Sequence, residues 1–209
     1  FDKRIHWVNN VLTLHTASAL CSPTPISVDP YDRGIGFDSV FPARRYLQGI
    51  AEAAACGASM VIKGTEFVDG GKFTLITAPQ FKDTRLQLKK AHNWLENHHD
   101  LFDQRVNLAK VGVLYPGDAL WKNWFSVSPC YFGVGQTLLA MGIPWRVVTQ
   151  PADLAGLECL ITCDHVLKLD WSLPDHLKVI ALSALPGWTK FTPFTMPRNP
   201  VFLAAFSKA

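Results

Sequence analysis

A cysteine and a histidine lie two positions apart in Cys163-Asp164-His165, directly after the apolar residues 157–162. A thiol becomes a strong nucleophile when a neighbouring base takes its proton, and many α/β enzymes hold their nucleophile on a sharp turn between a strand and a helix. Such a turn favours small residues on both sides of the nucleophile, but Cys163 is flanked by Thr162 and Asp164. The spacing indicates a candidate catalytic pair, Cys163 and His165, on a crowded turn.

The five cysteines of the chain favour a second interpretation of Cys163. They form no even, closely spaced set, and four of them lie within or beside apolar runs. A free cysteine behaves as a small hydrophobic residue, and disulfides are rare in reducing compartments. We therefore expect buried free thiols and a cytoplasmic location. The cysteines are Cys21, Cys56, Cys130, Cys159 and Cys163.

The histidines and glycines do not predict a metal or a cofactor. His98 and His99 are adjacent, so on a helix their side chains point about 100° apart and cannot lie on one face. His92 and His99 can align, but two ligands alone make a weak zinc site. The glycines in 34–36 lack a preceding strand and the third glycine of a phosphate-binding loop, and those in 133–135 lie inside the predicted helix rather than before it. We expect no metal and no cofactor.

Charge and hydropathy exclude two kinds of partner. The net charge is +3, and no run of Lys or Arg forms a stripe, so binding of nucleic-acid phosphates is not expected. No apolar run approaches the roughly 18 residues of a spanning helix, and no secretory signal pattern occurs. With 48% hydrophobic residues the chain can bury a core. Because it starts at Phe1 without Met, we expect a fragment or a trimmed chain.

Hydrophobic periodicity in the first hundred residues predicts alternating helices and strands. Glycine and proline mark the ends of these elements. The order is therefore typical of β/α units. The predicted elements are a helix over 2–15, a strand over 18–21, a long loop through 36, a helix from Pro42 to Gly57, a strand over 59–63, a loop over 64–71 and a helix over 80–101.

A second set of apolar stretches begins near Asn107. Strands are predicted over 110–115, 145–149, 157–162 and 178–182. Helical patterns fall between them, over 131–141 and 172–176. Strands joined by helices favour a parallel, doubly wound sheet, so the fold class is α/β. The change of pattern places a domain boundary near residue 103, which gives domains 1–102 and 103–209.

Three motifs of the second domain occur together in one known family. They are AKVGVLYPGD at 109–118, LLAMGIP at 138–144 and ADLAGLECLIT at 152–162. In this order they resemble the trimerisation domain of glycoside hydrolase family 42 β-galactosidases, although Leu157 departs from the tyrosine-like residue of that pattern. The resemblance covers about residues 103–185. It implies a flavodoxin-like or class I glutamine-amidotransferase-like fold without amidotransferase activity.

The same family has the end of a (β/α)₈ TIM barrel before this domain. Residues 46–63, with the turn Ala-Cys-Gly-Ala at 55–58, are similar to the last helix–strand step of that barrel. Residues 19–22 would then be the seventh strand and helix 80–101 the closing helix. Two strands cannot close a barrel. Either the rest of the barrel lies elsewhere in a longer protein, or the first hundred residues pack differently.

The resemblance also implies where site residues lie. Retaining glycosidases need two carboxylates, which this family carries after strands four and seven. Strand four is not in this chain, and residues 22–25 after the presumed seventh strand contain no glutamate. We therefore expect that this chain alone is not catalytic. Substrate contacts are expected after the last barrel strands, at Lys63, Glu66, Asp29, Asp32 and Arg33.

Aromatic residues are dense at the start of the second domain. They are able to line a sugar or partner surface, to pack loops onto the sheet or to fill a subunit contact. The residues are Trp121, Trp124, Phe125, Tyr131 and Phe132.

The leading hypothesis is a C-terminal fragment of a carbohydrate-active, glycoside hydrolase-like protein with an oligomerisation domain. It implies a homo-oligomer, a trimer by resemblance, and a carbohydrate as the possible substrate. The alternative is a free-standing α/β hydrolase or amidotransferase-like enzyme that uses Cys163 and His165. A flavin or nucleotide binder is suggested by the fold class alone.

Overall fold

The computed structural model describes residues 8–21, 24–28, 43–60, 65–68, 72–102, 105–163, 169 and 171–182. The chain divides into two units, Phe1–Val106 and Asn107–Ala209. Each unit has its own cluster of buried apolar side chains. The identity of these units as a barrel end and an assembly domain stays a prediction.

The first helix of the first unit, α1 (Val8–Cys21), runs through the predicted strand 18–21. That strand prediction is wrong. Ala and Leu, which fill much of this segment, are strong helix formers. The helix ends at Cys21 because the residue before Pro23 avoids helical geometry.

Two short strands of the first unit pair in parallel. They are β1 (Ser27–Val28) and β2 (Ser59–Met60), and helix α2 (Ala43–Ala55) lies between them in sequence. The β1-α2-β2 order is the β/α unit that the periodicity predicts. Its first strand lies at 27–28, later in the chain than the predicted strand at 18–21. Buried side chains from three helices and one strand form the core around it. They are Leu14, Tyr46, Ile50, Ala53, Met60 and Leu88.

A β-hairpin follows β2, where the sequence analysis predicts a loop over 64–71. Strand β3 (Thr65–Val68) pairs antiparallel with β4 (Lys72–Leu75). The loop prediction is wrong because only three residues, Gly70 and Gly71 among them, separate the two strands, and a short connection that contains glycine is a hairpin signal. Glu66 lies opposite Thr74 in this pairing.

A long helix closes the described part of the first unit. Helix α3 (Lys82–Asn97) has short 3₁₀ turns at Pro79–Phe81 and His99–Leu101, which together cover the predicted helix 80–101. Arg85 Nη1 donates to the carbonyl oxygens of Ile76 and Ala78, at 2.6 and 2.8 Å. This contact ties the first turn of α3 to the residues that follow β4.

The second unit is built on a four-stranded parallel sheet, as the sequence predicts. Its strands are β5 (Val111–Leu114), β6 (Trp145–Val148), β7 (Cys159–Cys163) and β8 (Lys178–Leu182). They lie in the order β6-β5-β7-β8, and each neighbouring pair is parallel. The central strands β5 and β7 are almost wholly buried, which is typical of parallel sheets. The α/β class is confirmed.

Two helices join β5 to β6. They are α4 (Asp118–Lys122) and α5 (Trp124–Ala140), so α5 starts seven residues before the predicted helix 131–141. The Gly-Ile-Pro motif ends α5. The N–H groups of Gly142 and Ile143 donate to carbonyl oxygens of Leu139 and Leu138, at 3.1 and 2.9 Å, and Gly142 has a φ of 67°. These two bonds are the Schellman pattern, which favours glycine at the left-handed position.

The predicted helix over 172–176 does not form. Residues 174–177 make a turn instead, in which the Leu177 N–H donates to the carbonyl of Pro174 at 3.0 Å. A proline disfavours helical geometry in the residue before it, here Leu173. Leu177 packs in the core of the unit. That core consists of Leu114, Val148, Leu154, Leu157, Leu160 and Leu177.

Candidate functional site

The carboxyl edge of the parallel sheet brings together the ends of β5, β6 and β7. Tyr115 follows β5, and its N–H donates to the carbonyl of Val148 in β6 at 2.9 Å. The chain passes from β5 to β6 on one side, whereas β7 lies on the other side of β5. In open parallel sheets, ligands bind outside the carboxyl ends of the strands at such a reversal. This edge is therefore the candidate site in the described part of the second unit.

Five aromatic side chains form a closed ring of contacts at the end of β5; we call them the aromatic cluster. The cluster is Tyr115, Trp121, Trp124, Tyr131 and Phe132. Ring centroids are 6.3 Å apart for Trp121–Trp124, 5.8 Å for Trp124–Phe132, 5.7 Å for Phe132–Tyr131 and 6.0 Å for Tyr131–Tyr115. Trp121 Nε1 donates to Tyr115 Oη at 3.2 Å and closes the ring. The contacts fix each ring relative to its neighbours.

The aromatic cluster extends from the core to solvent. Tyr131 is 1% exposed, whereas Trp124 is 41% and Trp121 is 71% exposed. Gly117 has a φ of 57° and starts the turn into α4, which carries Trp121. Sequence analysis identified four of these residues but not Tyr115. One signal in the sequence could have identified Tyr115: it directly follows the clearest predicted strand and lies six residues before Trp121.

One ion pair flanks Trp121 on α4. Lys122 Nζ lies 3.0 Å from Asp118 Oδ2, and both side chains are largely exposed. The pair follows the i, i+4 spacing of one helix face. The two charges neutralise each other beside the exposed indole.

Asp153 organises the turn after β6. Its Oδ2 accepts hydrogen bonds from the Thr149 N–H and hydroxyl, at 2.8 and 2.9 Å, and from the Gln150 N–H at 3.1 Å. Leu154 is buried in the core, and Gly156 has a φ of 74°. The Asp-Leu-x-Gly motif therefore has a structural role here: it turns the chain from β6 towards β7.

Cys163 is the last residue of β7. It lies in register with Leu182 of β8 and is 3% exposed. His165 lies outside the described residues, so the pairing of Cys163 with His165 stays a prediction.

The residues predicted to contact substrate fall mostly outside the described residues. Asp29, Asp32, Arg33 and Lys63 lie there. Glu66 is in β3, and only its backbone is described. Their role in substrate binding stays a prediction.

The cysteines differ in exposure. Cys130 and Cys163 are buried, Cys56 and Cys159 are half-buried, and all are free thiols. Cys21 is exposed at the end of α1, so the expectation of burial is wrong for this residue because the predicted strand there is a helix. Burial raises the pKa of the Cys56 thiol to about 11, and the Glu52 carboxylate adds to this rise.

Metal ligands do not cluster in the part of the chain that the structure describes: no group of three or more suitable side chains occurs there. His98 Nδ1 lies 2.7 Å from the carbonyl oxygen of Trp94, and His99 Nδ1 lies 3.0 Å from that of Glu96. Both rings therefore bond to the backbone of their own helical segment. None of the described helices has the length and apolar character needed to cross a membrane.

Comparison with known proteins identifies a related fold. No protein family and no curated protein sequence matches this chain. Among solved structures, the alpha-L-fucosidase isoenzyme 2 from Paenibacillus thiaminolyticus is similar over 81% of this chain, with a TM-score of 0.51 and 19% sequence identity. The chain spans 26% of the length of that protein. The likeness shows that this chain shares its fold with one part of the fucosidase.

Proposed function

We propose that this chain is the C-terminal part of a carbohydrate-active, glycoside hydrolase-like protein, and that its second unit holds copies of the protein together. The observation that carries the proposal is the fold shared with an alpha-L-fucosidase over 81% of the chain. Because the chain spans only 26% of that enzyme, the proposal treats it as a portion of a larger protein.

The strand order of the second unit supports an assembly domain of the family 42 type. Numbered within the unit, the order β6-β5-β7-β8 is 2-1-3-4, which is that of flavodoxin-like sheets. Two motifs of the resemblance have clear structural roles, since Gly142 ends α5 and Asp153 binds the turn after β6. On this proposal residues 103–209 form the trimerisation-type domain and residues 1–102 the end of a barrel.

Exposed apolar side chains outside the aromatic cluster are available for a contact between copies. Leu108, Met141 and Val179 are each at least 40% exposed. Contiguous groups of exposed apolar side chains mark interaction sites, and on this proposal these three lie in the contact. Burial of such side chains stabilises an oligomer by about 25 cal/mol per Å² of apolar area removed from water.

The described carboxylates support the view that this chain is not catalytic by itself. The half-buried ones, Glu52 and Asp153, already accept hydrogen bonds within the protein: Glu52 Oε1 from Gln48 Nε2 at 2.7 Å, and Asp153 from the turn after β6. A retaining glycosidase needs two carboxylates about 5–5.5 Å apart across the scissile bond. On this proposal Lys63, Glu66, Asp29, Asp32 and Arg33 contact substrate only when the rest of the barrel is present.

A hydrolysis assay tests the proposal. We expect no turnover of 4-nitrophenyl α-L-fucoside or β-D-galactoside by this chain, and efficient cross-linking of copies at micromolar concentration by a lysine-reactive reagent. Turnover that the Cys163→Ser variant lacks would instead support the alternative enzyme with Cys163 and His165. Cross-linking that yields only single chains would contradict the assembly role.

A further inference from the structure

The aromatic cluster is organised before any ligand binds. Each of its five rings contacts two others, and the most exposed ring, Trp121, is linked to the buried Tyr131 through Tyr115. Side chains that are already fixed lose little conformational entropy on binding, so a preorganised surface binds more tightly than a mobile one. Trp121 and Trp124 stack on each other, with ring centroids 6.3 Å apart and an interplanar angle of 29°.

The exposed part of Trp121 is chemically apolar. An indole has one polar group, its Nε1–H, and that group donates to Tyr115 Oη. Solvent reaches 71% of the residue, and the ring carbons of the indole offer a ligand an apolar surface. Exposed apolar patches on soluble proteins mark interaction or ligand sites.

The groups around Trp121 favour a neutral, hydroxyl-bearing ligand. Lys122 lies 3.0 Å from Asp118, so α4 carries no net charge beside Trp121 that would favour an anionic or a cationic ligand. A nucleotide would need cations for its phosphates. The Tyr115 hydroxyl accepts from Trp121 and retains its own proton to donate.

We propose that Trp121 and Trp124 form a platform on which one ring of a neutral oligosaccharide stacks. A sugar ring has an apolar C–H face for the indoles, and its hydroxyls can bond to Tyr115 and to the Asp118–Lys122 pair. The site lies at the carboxyl edge of the sheet, where ligands of parallel sheets bind. The choice of a carbohydrate as the ligand rests on the proposed function. The geometry of the platform is independent of that proposal.

Affinity electrophoresis of the full chain in gels that contain a neutral polysaccharide tests this platform. The probes are galactan and fucose-bearing xyloglucan, with carboxymethylcellulose as the charged comparison. We expect the chain to be retarded by a neutral polysaccharide, and Trp121→Ala and Trp124→Ala to weaken the apparent affinity at least tenfold. Tyr115→Phe should weaken it less, because the ring stays in place. Trp121→Phe, which keeps an aromatic ring, should retain part of the affinity.

Trp94→Ala is the matched control. Trp94 is 50% exposed and stacks on His98 at 4.6 Å, but it lies in the first unit. Unchanged affinity in Trp121→Ala, an equal loss in Trp94→Ala or no retardation by either neutral probe would overturn the platform.

Light scattering of Trp121→Ala tests a different role for the indoles. If this change breaks an oligomer apart, the indoles form a subunit contact and the platform is overturned. If the chain forms an oligomer but binds no sugar, only the platform is refuted. If it binds sugar as a single chain, only the assembly role is refuted.

Discussion

Arg105 caps the C-terminal end of α2 by donating its Nη1 to the carbonyl oxygen of Ala54 at 2.6 Å. The same atom donates to the carbonyl oxygen of Ala55 at 2.9 Å, and the guanidinium lies over the ring of Phe102. The last carbonyls of a helix lack partners within it and carry the negative end of its dipole. A cation from the segment after α3 therefore stabilises the end of α2.

Replacing Arg105 with Ala should lower the free energy of unfolding by about 1 kcal/mol, because two helix-terminal carbonyls lose a charged donor. Urea denaturation of the full chain measures this change. Arg44→Ala is the control, since Arg44 is exposed in the first turn of α2, where a cation opposes the helix dipole. An equal or larger loss in the control would contradict the capping role.

Gly112→Ala should destabilise the second unit through overpacking. A Cβ at position 112 would lie 2.5 Å from Leu157 Cδ1 and 2.8 Å from Val148 Cγ2. Forcing a methyl group into a filled core costs typically about 1–3 kcal/mol. In thermal unfolding, the double variant Gly112→Ala/Leu157→Val should recover part of the loss, because valine lacks the clashing Cδ1. A double variant less stable than the sum of its single changes would argue against the clash.

Asp153→Ala should destabilise the turn between β6 and β7. The change leaves the N–H groups of Thr149 and Gln150 without the carboxylate that accepts from them. Loss of a capping side chain of this kind costs about 1 kcal/mol, within a range of roughly 0.5–2. Chemical denaturation measures it, with the exposed Asp175→Ala as the control. The motif has no structural role if both changes cost the same.

Cys56 should contribute to the loss of stability at alkaline pH. Burial raises the pKa of its thiol from 9.0 to about 11; the Glu52 carboxylate adds to the rise and Arg105 opposes it. The unfolded chain therefore releases this proton first, so the contribution is complete below pH 9 and declines as pH rises towards 11. Between pH 9 and pH 11, the free energy of unfolding of Cys56→Ala should therefore fall less steeply with pH than that of the unchanged chain.

Alkylation rates provide a separate check on Cys56. At pH 8 iodoacetamide should modify Cys56 much more slowly than the exposed Cys21, because the thiolate is the reactive form. Peptide mass spectrometry resolves the two sites. Equal rates would show that Cys56 is not shielded in the folded protein.

The parallel sheet could be predicted from the sequence because its strands are short apolar runs, of which the central ones, β5 and β7, are buried. Stretches such as Val111–Leu114 and Lys178–Leu182 are apolar, short and bounded by turn residues, so few alternatives compete. The segment at 18–21 could not be assigned in this way. A short apolar run looks the same in a strand and at the end of a helix, and the contacts of α1 decide between them.

The candidate site was only partly predictable. The local density of aromatic residues identified the tryptophans of the aromatic cluster, but the bond from Trp121 to Tyr115 depends on the turn at Gly117, which brings α4 back to the end of β5. The hairpin β3–β4 was missed because the glycines at 70 and 71 are typical both of a loop and of a short connection between two strands. A tertiary contact therefore decides the first feature, whereas an ambiguous local pattern hid the second.

Sedimentation equilibrium of the full chain over a hundredfold concentration range tests the assembly role of the second unit, since it measures mass without reference to shape. We predict a stable oligomer, with a mass three times the 23.2 kDa of one chain if the family 42 resemblance extends to the number of copies. A mass of one chain at every concentration would contradict the assembly role of the second unit.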